Sequence, residues 1–169
     1  MMQKDPLKGK KVLLVDDERD VLETLEDELD MCIVHTAMND EAAIRYLDEH
    51  DYDAVVLDIM GVNGFELLKR SVSRGFPTVM VTAHAVTPEA LKKSIKLGAI
   101  SFLPKEEMSH LKEFLEDVVL NRADSLWIKL FDQFGAYFNR LFGPGWKEKD
   151  RFFKEFEESL RKSEETGFP

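Results

Sequence analysis

Asp16 and Asp17, Asp58, Thr82 and Lys105 share one setting: each stands at or just past the end of a short apolar run. Taken singly, such residues are most often solvated loop positions. Together they offer three carboxylates, a hydroxyl and an ammonium. Carboxylates crowded on one rim repel, and their burial is costly unless they share a cation. Hard oxygen ligands with open positions suit Mg²⁺, which keeps waters and also takes phosphate oxygens. Lys105 and that ion would neutralise an incoming phosphoryl group, and Thr82 would donate to one of its oxygens. A carboxylate held in line with the group is then a competent nucleophile, and the product is an aspartyl phosphate.

For that chemistry the five residues must meet, and the flanking sequence says how. Lys11–Val15, Cys32–Thr36, Ala54–Leu57, Pro77–Val81 and Ile100–Leu103 read as short buried strands. Helical spacing fills the gaps: Val21, Leu22, Leu25 and Leu29 over 18–29, then Ala42, Ala43, Tyr46 and Leu47 over 40–49, with Asn39 or Asp40 as cap. Gly64 opens a third helix carrying Phe65, Leu67, Leu68 and Val72, and Pro88 and Gly98 bracket a fourth over 88–97. A fifth runs over 106–120 with Leu111, Phe114, Leu115, Val118 and Val119 inward. Five strands alternating with five helices predict an α/β fold, a doubly wound five-stranded parallel sheet covered on both faces. Its functional crevice lies at the carboxyl ends of the strands, where the five residues stand.

Composition narrows the function. The 169 residues are 44% apolar and 33% charged, enough for a real core, and carry a net charge of −10. Nucleic-acid binding is disfavoured, because gripping phosphates needs clustered Lys and Arg. One cysteine, Cys32, excludes an intrachain disulfide and reads as a small buried strand residue. No apolar run reaches the roughly 20 residues of a membrane span. The first eleven residues lack a signal-peptide core, so a cytoplasmic protein without membrane contact is expected. His35, His50, His84 and His110 lack metal-ligand spacing. His84, two residues past Thr82, is either an exposed loop residue or a group that tunes water access to the site.

The chain divides near residue 121. Residues 1–120 hold 14 Lys/Arg and 24 Asp/Glu and carry the whole −10, whereas the last 49 residues are neutral and hold 11 of the 17 aromatics. Trp127, Leu130, Phe131, Phe134, Phe138, Leu141 and Phe142 predict one amphipathic helix over 124–142. Gly143-Pro144-Gly145 breaks it, and Phe152, Phe153, Phe156 and Leu160 mark a second helix over 147–162. Two domains are expected, 1–121 and a C-terminal helical hairpin over 122–169. So small a hairpin makes little core alone. A homodimer through the C-terminal helices is the favoured cover for its stripe, against packing on its own first domain or docking of another protein.

Four segments carry a resemblance. Val-Leu-Leu-Val-Asp-Asp-Glu at 12–18, Val-Val-Leu-Asp-Ile-Met at 55–60, Val-Met-Val-Thr-Ala at 79–83 and Gly-Ala-Ile-Ser-Phe-Leu-Pro-Lys at 98–105 follow the order and spacing of the receiver domain of two-component response regulators. Residues 8–121 resemble that domain, which implies a flavodoxin-like receiver fold. The resemblance implies that Asp58 is the phosphoacceptor, that Asp17 binds Mg²⁺ directly, and that Asp16 acts more through water. The backbone carbonyl of Met60 is implied as a further ligand, Thr82 and Lys105 as grips on the phosphoryl oxygens, and Phe102 as the switch aromatic. Two departures stand out. The loop from Ile59 to Asn63 is shorter than the family's and lacks its proline. Glu106 replaces the proline that carries a cis bond in the family, so a trans peptide is expected, cis costing roughly 2.5–4 kcal/mol.

The expected function is therefore that of a response regulator in a two-component phosphorelay. A histidine kinase or phosphotransfer protein supplies the phosphoryl group, and an unknown output protein reads it through the tail. Self-dephosphorylation is the most catalysis expected. The rivals are a phosphorylation-independent scaffold and a small aspartate-based phosphatase. The phosphatase would want a second acid two residues past its nucleophile, where Met60 stands.

Overall fold

Five short runs rich in apolar residues pair side by side, and the central ones, dominated by valine and leucine, need cover on both faces. In the computed structural model, which describes residues 5–59, 62–82, 87–120 and 123–165, these runs are β1 (Lys11–Val15), β2 (Ile33–Ala37), β3 (Ala54–Asp58), β4 (Thr78–Thr82) and β5 (Ser101–Pro104). They form one parallel sheet of order β2-β1-β3-β4-β5. β3 and β4 are buried along their whole length. Between the strands run α1 (Arg19–Glu28), α2 (Asp40–Glu49), α3 (Gly64–Ser73) and α4 (Pro88–Lys96). Asn39 caps α2 by accepting the Ala42 N–H at 2.9 Å, and Thr87 caps α4 by accepting that of Ala90 at 3.1 Å. Gly98, just past α4, takes φ 100°, the left-handed turn a helix end favours. The expected doubly wound parallel sheet is thus present.

Two local expectations need correction. Cys32 lies one residue before β2 and is half-buried, its Sγ 3.5 Å from the Leu7 carbonyl. The fifth helix does not start at 106: Lys105–His110 is a 3₁₀ turn, with Glu107 non-helical at φ −108°, ψ 23°, and α5 spans Leu111–Val119. None of the turn's residues is buried, so no apolar stripe demands an α-helix there.

The tail departs most. Instead of a hairpin it forms α6 (Ala123–Gln133), α7 (Gly135–Phe142), α8 (Trp146–Lys149) and α9 (Arg151–Glu165). The expected helix over 124–142 breaks at Phe134 (φ −115°, ψ 19°), beside the weak helix former Gly135. Phe134 packs on His110 and Phe114, whereas Phe138 packs on Phe142 and Trp146, and the break serves both directions. Asp150 separates α8 from α9: its Oδ1 accepts the N–H groups of Phe152 (2.8 Å) and Phe153 (3.4 Å).

The aromatic stripe is covered by its own chain. α6 lies against β5, α5 and α9, and α9 against α8. Leu126, Trp127, Leu130, Phe131, Phe134, Phe138, Trp146 and Phe153 are buried and join the core of the sheet domain. The premise for a dimer through that stripe is thereby removed. The sheet domain supplies the wall a lone hairpin lacks, leaving Leu141 and Leu120, among the described residues, as the exposed large apolar side chains of this region. Polar links fasten the join. Lys129 on α6 binds Asp117 (2.7 Å) and Glu113 (3.0 Å) on α5, and Lys92 on α4 binds Asp150 (2.7 Å). Among the described residues no helix is long and apolar enough to cross a membrane.

Candidate functional site

The parallel ladders bring the ends of β1, β3 and β4 to one rim. Asp16 follows β1, and its N–H reaches the Ala37 carbonyl at 3.1 Å, extending the ladder by one residue. Asp58 ends β3 opposite Val81, and Thr82 ends β4 opposite Pro104. Asp16, Asp58 and Thr82 are only 3%, 2% and 2% exposed. Buried carboxylates need a partner, and Lys105 supplies it from the first residue after β5. Its Nζ lies 3.0 Å from Asp16 Oδ2, 3.1 Å from Glu18 Oε1 and 3.6 Å from Asp58 Oδ2. One ammonium therefore bridges two buried acids from different strands and an exposed third.

The electrostatics follow from that arrangement. Burial lifts the Asp16 carboxyl above its ordinary range, against the opposing pull of the Glu18 N–H bonded to its Oδ1 (2.9 Å) and of Lys105. Burial alone would lower the Lys105 ammonium, but its bonds to Asp16 and Glu18 and the charges of Asp16 and Asp58 hold it above the usual lysine range. It stays charged at any neutral pH.

Carboxylate oxygens of Asp16, Asp17 and Glu18 lie mutually within 4.8 Å. All are hard ligands, two are exposed and so leave room for water, and the donor set fits Mg²⁺. Of the ligands named from the sequence, Asp16 and Asp17 fall in this cluster, and Asp58 stands across Lys105 from it. Met60 lies outside the described residues, as does His84. Glu18 was not singled out, although its place directly after the acidic pair was visible. Phe102 is fully buried on β5, paired with Met80. The other histidines sit elsewhere: His35 bonds the Tyr52 hydroxyl at 2.8 Å and packs on His50, and His110 lies between Glu107 and Glu113. The peptide before Glu106 is trans, as expected.

Gly64, read from the sequence as the opening of the third helix, has a second role beside Asp58. A Cβ there would sit 2.5 Å from the Asp58 carbonyl oxygen and 2.7 Å from the Ile59 Cα. The backbone of Gly64 comes this close to Asp58 and Ile59 only because that Cβ is missing, and the neighbouring Asn63 N–H donates to Asp40 at 2.7 Å. Gly64→Ala must push the backbone that carries Asp58. A loss of about 1–3 kcal/mol is expected, read as a lower urea midpoint.

The family described as the response regulator receiver domain matches residues 12–116. The two-component response regulator ARR12 of Arabidopsis thaliana is 32% identical over 124 residues, 69% of this chain and 21% of that protein. A protein-glutamate methylesterase/protein-glutamine glutaminase of Oleidesulfovibrio alaskensis is 32% identical over 106 residues, 57% of this chain and 28% of that one. The chain thus spans a fifth to under a third of the length of these relatives. Among solved structures, a putative response regulator from Chloroflexus aurantiacus superposes with TM-score 0.59 at 27% identity, covering 67% of this chain and 99% of that one. Full-length FixJ from B. japonicum gives TM-score 0.59 at 28% identity, covering 69% and 60%.

Proposed function

The chain belongs to the response regulator receiver family, and from that premise we propose that it accepts a phosphoryl group on Asp58 in a Mg²⁺-dependent reaction within a two-component relay. The observation that carries the reading is Lys105, a charged ammonium held between the buried carboxylates of Asp16 and Asp58 at 3.0 and 3.6 Å. A phosphorylated Asp58 carries about −1.5 to −2 of charge where the carboxylate carried −1, with three strong acceptor oxygens, and that is what a fixed, partly desolvated cation stabilises. Asp16, Asp17 and Glu18 are the residues that would hold Mg²⁺, and the ion supplies charge neutralisation for the incoming group. Asp58 Oδ is the nucleophile, Lys105 holds the transferred oxygens, and the Thr82 hydroxyl donates to one of them.

The donor is a histidine kinase or phosphotransfer protein, and the setting is cytoplasmic. Residues 1–121 act as the receiver and 122–169 as an extension through which the signal passes. Thr82 and Phe102 form the switch: Thr82 moves toward the phosphoryl group and Phe102 fills the vacated space, a two-state element biased by its ligand. Turnover is limited to self-dephosphorylation.

The test is intact-mass measurement after incubation with acetyl phosphate and Mg²⁺. One phosphoryl adduct is expected, absent from Asp58→Ala and after EDTA. An adduct that persists in either case sinks the reading. Rapid turnover without adduct favours the phosphatase, and no reaction favours the scaffold.

A further inference from the structure

The 3₁₀ turn Lys105–His110 joins the site to the C-terminal extension, which grips it at both ends. Lys105 opens the turn with its ammonium in the site. At the next residue, the Tyr137 hydroxyl on α7 donates to Glu106 Oε2 at 3.0 Å. At the far end the Phe134 ring meets the His110 ring edge-on, centroids 5.4 Å apart. We infer that Tyr137 is a positioning residue for Lys105, acting through Glu106, and that the extension is the element of this chain that reads the state of Asp58.

The inference rests on the phosphoacceptor reading above and adds a direction to it. Lys105 now sits closer to Asp16 and Glu18 than to Asp58. New negative charge on Asp58 draws the ammonium toward it. A 3₁₀ turn has poorer hydrogen-bond geometry than an α-helix and yields readily. Displacement of Lys105 therefore passes to Glu106, its chain neighbour, and strains the bond to Tyr137. Burial and the Glu106 bond push the Tyr137 phenol up to about 12, so the hydroxyl keeps its proton and remains a donor at neutral pH. Coupling is reciprocal: if phosphoryl binding loosens the extension, the extension weakens phosphoryl binding by the same factor.

The chain carries its own reporter. Both tryptophans, Trp127 and Trp146, lie in the extension, and Trp146 packs against Phe138, the residue after Tyr137. The probe is beryllofluoride with Mg²⁺, a phosphoryl mimic, added to the full-length chain. Fluorine NMR follows the bound species, and tryptophan emission follows the extension. A bound resonance lost in Asp58→Ala is expected, together with a change in emission. Tyr137→Phe, which keeps the ring and removes the donor, should bind about fivefold more tightly and lose most of the emission change. Glu106→Gln keeps an acceptor for Tyr137 and should behave like the parent, whereas Glu106→Ala should behave like Tyr137→Phe. A bound resonance without an emission change overturns the inference, as does a Tyr137→Phe protein that matches the parent in both signals. No bound resonance in the parent overturns the phosphoacceptor reading itself, and the inference with it.

Discussion

Lys105→Met is expected to slow phosphorylation by acetyl phosphate by about 10²–10³-fold, the loss typical of removing one preorganised charge-stabilising group. Among the described residues Lys105 is the cation placed against both Asp16 and Asp58, and methionine keeps its length without its charge. Stability should respond to pH in a defined sense. The folded Asp16 carboxyl already titrates above its ordinary value of 3.8, because burial disfavours its charge. Loss of Lys105 raises it further. A carboxyl whose folded pKa exceeds its unfolded one contributes stability that is complete below the unfolded value and is lost as pH rises through the folded one. The variant should therefore lose more stability than the parent between about pH 4 and 7. Urea midpoints across that range measure it. Parallel pH curves for the two proteins would mean that Asp16 is not held by this ammonium.

Phe138→Ala is expected to cost about 3–5 kcal/mol, the range for emptying the space of a fully buried phenylalanine. Phe138 is completely buried, with the Phe142 ring stacked on it and the Tyr137 and Trp146 rings against it. The buried residues of the sheet and of the extension form one cluster, so the parent should unfold in one transition. Far-ultraviolet circular dichroism follows the whole fold, and tryptophan emission follows the extension alone. The two curves should coincide in the parent and shift together in the variant. A variant whose emission curve moves while its dichroism curve stays would show that the extension is a separate unit.

The sheet was legible because its strands are short apolar runs, and four of them end at or just before a polar residue of the rim. That pattern depends on local sequence, and the same runs placed Asp16, Asp58, Thr82 and Lys105 on one rim. Glu18 was visible as a letter but not as a role, and Gly64 as a helix opener but not in its role beside Asp58. The role of Glu18 depends on where the Lys105 ammonium comes to rest, and that of Gly64 on a backbone approach of 2.5 Å, which no periodicity encodes. The tail misled for a related reason. Its stripe has true helical spacing, so one long helix was the natural reading. The break at Phe134 answers to His110 and Phe114, partners 24 and 20 residues away, and to weak helix propensity at Gly135. Long-range contacts set it, and they overrode the local pattern.

The order in which the chain emerges from the ribosome gives the join a temporal side. β5 and α5 are complete by residue 120, but Phe134, the tail ring that packs on Phe114, comes later. At roughly 5–20 residues per second, the remaining chain takes on the order of several seconds to follow. For that interval the nascent sheet domain lacks its aromatic cover, and transiently exposed apolar surface of this kind is what makes incomplete folds prone to aggregate. On a crowded polysome the same contacts can be satisfied by the tail of a neighbouring nascent chain, a domain swap that remakes each bond at little energetic cost.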